Sequence, residues 1–344
     1  MAPIGEVMLR EIEEIPQVLE RISKHLEADT RAESLLSEKK FHSIIILARG
    51  TSDNAAHFLK YLIETKLGIA CGLASPSAAT LYSAKLVYEK TLVIAISQSG
   101  QSTDLVMFAK AAKAGGGFLL SVTNDADSPL AKLADHHVPI LAGFEVAVPA
   151  TKSYVGQMMI SYLLVEAWLS TKPSSQEIIE RARKILVDES TYIEFAKKID
   201  INKPIFILGR GFSYPNAREF ALKLQETCLV SVQGMSSSDF LHGPIASVSP
   251  DTQVVFMAPV HLPINSFGES AERIRTKSNN LLWIGAGNER LQSEPVLSGP
   301  ETSSEITASI TDALLFQRVT HYLATSNGLD PDSPAGLSKV TITR

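Results

Sequence analysis

Short runs of consecutive apolar, mostly β-branched residues alternate along the chain with longer stretches whose apolar positions recur every three to four residues. The runs are Ser43–Leu47, Thr91–Ile96 and Phe118–Val122, and the helical stretches between them are Asn54–Glu64 and Ser102–Ala114. A strand buried on both faces has no polar side to alternate with, so this pattern predicts βαβ units and a parallel sheet. After the polar stretch Thr171-Lys-Pro-Ser-Ser a second series begins. It has a helical segment to about Lys198, then strands over Pro204–Leu208, Gln253–Ala258 and Asn280–Ile284. The fold class is α/β, and the division between the halves is expected between residues 171 and 200.

The halves repeat one another. Ile44-Ile-Ile-Leu-Ala-Arg-Gly-Thr-Ser-Asp-Asn-Ala resembles Ile205-Phe-Ile-Leu-Gly-Arg-Gly-Phe-Ser-Tyr-Pro-Asn-Ala. With one inserted residue, Ala55, Phe58, Leu62 and Glu64 fall opposite Ala217, Phe220, Leu224 and Glu226. This reads as two copies of one α/β unit. Ligands of open α/β sheets sit beyond the carboxyl ends of the strands, which directs attention to the loops there.

Composition narrows the choice. The chain has 344 residues, enough for two domains at about 100–200 residues each. Lys plus Arg is 32 against 37 for Asp plus Glu, a net charge of -5, so no basic field draws in nucleic acid. Two cysteines, Cys71 and Cys228, exclude a disulfide framework and a four-thiolate zinc site, and fit a reducing cytoplasmic setting. The N-terminus lacks the basic start and apolar run of a signal peptide. No apolar run approaches the about 18 residues that cross a bilayer, so no membrane partner is expected.

The loop Arg49-Gly-Thr-Ser-Asp-Asn follows a strand and opens a helix. Its glycine allows close backbone approach, and Thr51 and Ser52 stand where helix N–H groups favour an anion. An ordinary N-cap at Ser52 or Asp53 explains the same residues. The loop after Thr91–Ile96 gathers Ser97, Gln98, Ser99, Ser102 and Thr103 around Gly100, with many donors and no fixed charge. Such a loop wraps a phosphate with hydroxyls and backbone N–H groups. Neither G-x-G-x-x-G nor G-K-[ST] is present there, which favours a small phosphorylated metabolite over a nucleotide.

The wording of the chain resembles the SIS (sugar isomerase) family, in particular its double-SIS members: the isomerase half of glucosamine-6-phosphate synthases and the stand-alone SIS-type glucosamine-6-phosphate deaminases. Seven motifs carry the resemblance, in the family's order. They are Gly50-Thr-Ser, Ser97-Gln-Ser-Gly, Glu145-Val-Ala-Val-Pro-Ala-Thr-Lys-Ser-Tyr, Leu208-Gly-Arg-Gly, Ala221-Leu-Lys-Leu-Gln-Glu, Leu241-His-Gly-Pro and Asp332-Ser-Pro-Ala-Gly-Leu-Ser-Lys. The resemblance implies two tandem SIS domains, each a parallel sheet flanked by helices. Residues 1–180 form the first with an N-terminal helix, and residues 181–344 form the second with a C-terminal tail returning to the active site. By the same resemblance Thr51, Ser52, Ser97, Gln98, Ser99 and Ser102 hold the sugar phosphate, while Val148 and Thr151 lie beside the sugar. Glu226 moves a proton between C1 and C2, and His242 assists ring opening from the partner subunit of a homodimer. Lys223 and Lys339 stand near the reacting end. Gln225 departs from the lysine usual in the synthases.

The residue types suit these roles. One carboxylate over a sugar face can take a proton from one carbon and return it to its neighbour. A lone Glu is otherwise a solvated helix carboxylate, and Lys223 three residues earlier shares its helix face. Imidazole serves as acid or base near neutral pH, as ring opening needs. A loop histidine also commonly caps a carbonyl. A tail lysine is ordinarily solvated, but one folded over a site would stabilise an enolate oxygen. Lys152 reads as structural, and Cys228 as a small core residue rather than a nucleophile. The pair His136-His137 has no partners at metal-ligand spacing, so no metal and no cofactor are expected.

These 344 residues show no cysteine-headed glutaminase segment, so the expected reaction is release of free ammonia from glucosamine 6-phosphate with formation of fructose 6-phosphate. A deglycase or isomerase of another phosphorylated amino sugar, such as galactosamine 6-phosphate or a fructosamine 6-phosphate, uses the same phosphate motifs. A non-catalytic sugar-phosphate sensor is the reading from another class.

Overall fold

The computed structural model describes residues 4–38, 41–262, 265–285 and 294–339. The last residues of the expected tail, 340–344, lie outside them. In chain order the helices are α1 (Glu6–Glu13), α2 (Ile15–Glu27), α3 (Thr30–Glu38), α4 (Thr51–Leu62), α5 (Ser77–Thr80), α6 (Thr103–Ala114), α7 (Pro129–Leu133), α8 (Lys152–Trp168), α9 (Ser175–Ile185), α10 (Ser190–Ala196), α11 (Tyr214–Cys228), α12 (Ser237–Leu241), α13 (Asn265–Arg275) and α14 (Glu305–Ser326).

The strands form two five-stranded parallel sheets, the architecture expected of tandem SIS domains. The first contains β1 (Ser43–Leu47), β2 (Cys71–Leu73), β3 (Thr91–Ser97), β4 (Phe118–Thr123) and β5 (His136–Pro139), in the order β2-β1-β3-β4-β5. The second contains β6 (Ile205–Gly209), β7 (Val232–Ser236), β8 (Gln253–Met257), β9 (Asn280–Ile284) and β10 (Val296–Leu297), in the order β7-β6-β8-β9-β10. The two orders are the same. Leu47 lies opposite Ala95 in the first sheet and Leu208 opposite Phe256 in the second, so the registers also correspond. In both, the chain reverses its direction of travel across the sheet between the first and third strands, and the crevice at that switch point is where such sheets bind ligands.

Burial explains why these residues make strands. All seven residues of β3 are buried, as a central parallel strand covered on both faces requires. On one face of the first sheet Leu47, Val93, Ala95 and Leu119 pack against Leu105, Phe108, Ala109 and Ala112 of α6. The second sheet has a more aromatic core. Phe256 stacks on Trp283 at 4.2 Å between ring centres, and Phe267 of α13 meets both edge-on.

The described residues divide into two compact units, with one of the boundaries near Ser175. Residues 4–16 and 146–151 belong with the second sheet, not the first. Their hydrogen bonds give the reason. Asp332 accepts from Val7 N at 3.0 Å and Met8 N at 2.7 Å, satisfying first-turn N–H groups that a helix cannot pair internally. The Asp332 carbonyl accepts from Val148 N at 3.0 Å, and Gly5 O lies 3.0 Å from His321 Nε2. The tail residues 338 and 339 belong with the first sheet. Among the described residues, no helix is long and apolar enough to cross a membrane.

Candidate functional site

The first unit places two hydroxyl-bearing loops on neighbouring strands at its switch point. The loop after β1 enters α4 through Gly50, at φ 56°, where an added Cβ would meet nothing within 4 Å. That leaves the approach to the helix N-terminus open. Ser52, in the first turn, is buried, and its Oγ accepts from Gln157 Nε2 at 3.0 Å. The loop after β3 turns through Gly100 at φ 62°, and a Cβ there would come within 2.3 Å of Ser128 Oγ, so only glycine fits. Ser97 Oγ accepts from Gly100 N at 3.1 Å, and Ser99 Oγ from Gln101 N at 3.3 Å. Gln98 holds the loop through its carbonyl, which accepts from Asn124 N, and Ser102 is the N-cap of α6 without a side-chain capping bond.

Ser52, Ser97 and Ser99 each therefore accept an N–H, and none of the three donates its own proton to another described residue. A hydroxyl in that state presents a donor, which matches phosphate, an acceptor-only dianion. Arg49 supplies a cation on the same edge. It is half exposed and held at 2.9 Å by buried Asp104 in the first turn of α6.

The second unit gathers the ionisable residues on α11. Lys223 is fully buried, 3.4 Å from Glu219 one turn before it and hydrogen-bonded to Glu226 three residues after. Glu219 is itself fully buried, whereas the Glu226 side chain is 22% exposed, so one carboxylate of the set reaches the surface. Burial alone would lower the lysine pKa, but the two carboxylates outweigh it and raise it above its ordinary value. Lys223 is thus a fixed cation beneath Glu226. Gln225 donates to Val232 O at 2.7 Å, which anchors its side chain to the start of β7.

His242 ends α12, exposed, with its backbone N–H donating to Asp239 O. Among the described residues no hydrogen bond or ion pair joins it to Lys223 or Glu226. Val148 and Thr151 lie in the short segment 146–151, where Gln317 Nε2 donates to Thr151 O at 3.2 Å. Lys339 sits in the first unit, 3.1 Å from Glu145 Oε2. Glu145 also accepts from Ser153 N and Ser153 Oγ at 3.0 and 2.7 Å, which anchors it at the start of α8. Lys152, read as structural, is buried and donates to Phe144 O. Cys228 is buried and its thiol is pushed up to about 11, which suits a core residue and not a nucleophile. His136 pairs with Asp29 and His137 with Thr123, and the described residues hold no cluster of three His, Cys, Asp or Glu fit for a metal.

Sequence reasoning did not single out Glu219, Gln157 or Glu145. Glu219 was findable, because it stands four residues before Lys223 on one helix face. Gln157 and Glu145 are partners across 105 and 194 residues and leave no local signal.

Comparison with known proteins bears on the whole chain. A family model described as SIS domain matches residues 35–167 and 199–260. The glutamine–fructose-6-phosphate aminotransferase (isomerizing) of Methanothermobacter thermautotrophicus is 31% identical over 304 residues, 86% of this chain and 51% of that protein. The chain spans about half the length of the curated relatives it matches. The C-terminal domain of the glucosamine-fructose-6-phosphate aminotransferase of Francisella tularensis superposes with a TM-score of 0.85 at 24% identity, covering 96% of this chain and 98% of that one. The glucosamine-6-phosphate deaminase of Thermotoga maritima, at 19% identity and a TM-score of 0.77, covers 98% of this chain and 100% of its own and shares the fold.

Proposed function

Because the chain belongs to the SIS domain family, we propose that it is a sugar-phosphate isomerase, and that its reaction converts glucosamine 6-phosphate and water to fructose 6-phosphate and ammonia. The observation that carries this reading is the α11 cluster, a partly exposed Glu226 with the buried ammonium of Lys223 bound beneath it. A proton shuttle between adjacent carbons needs one carboxylate held in place over the sugar, and the bond from the buried Lys223 ammonium holds Glu226.

The phosphate is taken by Thr51, Ser52, Ser97, Gln98, Ser99 and Ser102, with Val148 and Thr151 beside the sugar. His242 of a second copy in a homodimer opens the ring, in keeping with its exposed position and its lack of a bond to Glu226. Glu226 then removes the C2 proton of the open aldehyde, and the C1 oxygen becomes an enolate that Lys339 stabilises before it is protonated. Returning the proton to C1 gives the 2-imine. Water adds at C2 and ammonia leaves, so atoms balance with no metal, no cofactor and no glutamine. Cys71 and Cys228 form no disulfide, and the proposed setting is the reducing cytoplasm.

The test is release of ammonia and fructose 6-phosphate from glucosamine 6-phosphate by the purified protein without glutamine. Equimolar release supports the proposal. Release of neither, alongside turnover of another phosphorylated amino sugar, would retain the isomerase and replace its substrate.

A further inference from the structure

Gln157 is a polar residue in the middle of α8, a helix buried over nearly its whole length, and it is 1% exposed itself. A side-chain amide in such a place costs free energy unless its groups are paired. Its Nε2 is paired with Ser52 Oγ at 3.0 Å, while its Oε1 has no hydrogen-bond partner among the described residues. The one side-chain bond it makes is therefore directed at a serine of the loop at the first switch point.

The direction of that bond has a chemical consequence. A hydroxyl has one proton to give. If the amide donates to Ser52 Oγ, the serine proton is left for a ligand, and accepting a bond strengthens a hydroxyl as a donor. If the amide oxygen faced Ser52 instead, the proton would be consumed inside the protein. The β3 loop obtains the same polarity from its own backbone, through Gly100 N on Ser97 and Gln101 N on Ser99. The β1 loop has no such backbone donor on Ser52, and a side chain from 105 residues away supplies one.

We propose that Gln157 is a positioning residue for anion binding: it fixes the Ser52 hydroxyl as a donor, so that the switch-point loops form a donor-only cradle for the phosphate of the substrate. This rests on the sugar-phosphate reading above, and the experiment separates the two. The variants are Gln157→Leu, which keeps the volume and removes the amide, and Gln157→Glu, whose ionised carboxylate takes the Ser52 proton. The readouts are KM and kcat for glucosamine 6-phosphate, and the concentration of inorganic phosphate that half-maximally stabilises the protein against thermal unfolding.

The expected result for Gln157→Leu is a roughly tenfold rise in KM and in that phosphate concentration, with kcat within about twofold, since the hydrogen bond to a charged group is lost from binding alone. Gln157→Glu should lose more at neutral pH and recover, relative to the native protein, as acid protonates its carboxyl into a donor. A merely structural residue would lower the melting temperature of the ligand-free protein without raising KM or the phosphate concentration. Unchanged KM and phosphate concentration in Gln157→Leu, or a fall in kcat at constant KM, would overturn the inference while leaving the isomerase intact. Failure of the native protein to bind inorganic phosphate at all would overturn both.

Discussion

The two sheets share one strand order and one register, yet their switch-point loops treat the same hydroxyl differently. Ser52 and Ser213 occupy equivalent positions after the first strand of each sheet. Ser52 accepts from Gln157, which leaves its proton to give, whereas Ser213 Oγ donates to Arg210 O at 3.0 Å while accepting from Arg210 N, closing the turn on itself. Register also pairs Ala95 with Phe256, so Ser97, Gln98, Ser99 and Gly100 correspond to Ala258, Pro259, Val260 and His261. His261 has φ 70° where Gly100 has 62°, so the backbone turn is kept although the hydroxyls are gone. In the first unit Ser52, Ser97 and Ser99 accept N–H bonds and keep their protons to give, while the equivalent positions of the second unit lack the hydroxyl or close on the turn.

The helices that follow differ in the opposite sense. Glu64 and Glu226 are equivalent by the repeat, but α4 loosens into a π turn over Ile63–Leu67, where Glu64 pairs with Lys60 at the solvent-facing surface. In α11 the helix stays regular and Lys223 is buried between two carboxylates. Under the proposed function, the phosphate loops lie in the first copy of the repeat and the proton shuttle of Glu226 in the second.

The comparison yields four tests of decreasing size. Replacing Glu226 by Gln removes the proton shuttle and should lower release of fructose 6-phosphate by at least about a thousandfold, at the upper end of what general acid–base groups contribute alone because both transfers fail. The matching change at Glu64 should leave turnover unaltered. Next, Lys223→Met removes the cation buried against the Glu219 carboxylate and should cost about 3 kcal/mol in urea unfolding, whereas Lys60→Met, at an exposed pair, should cost under about 0.5 kcal/mol. Equal costs would contradict the burial contrast. Third, Ser97→Ala should weaken inorganic phosphate binding about tenfold, as expected for a lost bond to a charged ligand, and Ser213→Ala should not change it.

The smallest effect concerns acid. Burial lowers His137 and His321 below their ordinary 6.5, one in each unit. The unfolded chain then binds more protons than the folded one, so stability is complete above 6.5 and declines as pH falls below it. His321→Gln retains a donor for Gly5 O and should reduce the loss of melting temperature between about pH 7 and about pH 5.5. An unchanged slope would remove His321 from the account.

How much of this was readable from sequence follows from burial. Central strands such as β1, β3, β4 and β9 are continuous apolar runs and were found almost to the residue. The edge strands were not, because β2 has three residues with a glycine, β5 is His136-His-Val-Pro and β10 has two residues. Helices α8 and α14 are buried nearly all round and have no polar face to produce a period. Both switch-point loops and the α11 motif were legible because turns and helix spacing are local. The partners that set their chemistry were legible only where they lay on the same helix, as Glu219 does. Asp332, which draws residues 4–16 to the second unit, lies 324 residues from Met8 and could not be paired with it from sequence.

The division of labour is tested most directly by titrating the inactive Glu226→Gln protein with glucosamine 6-phosphate beside Ser97→Ala. The account predicts that Glu226→Gln binds within about twofold of the native protein without turnover, while Ser97→Ala binds about tenfold more weakly. Loss of binding in Glu226→Gln as large as that in Ser97→Ala, or native binding in Ser97→Ala, would contradict it.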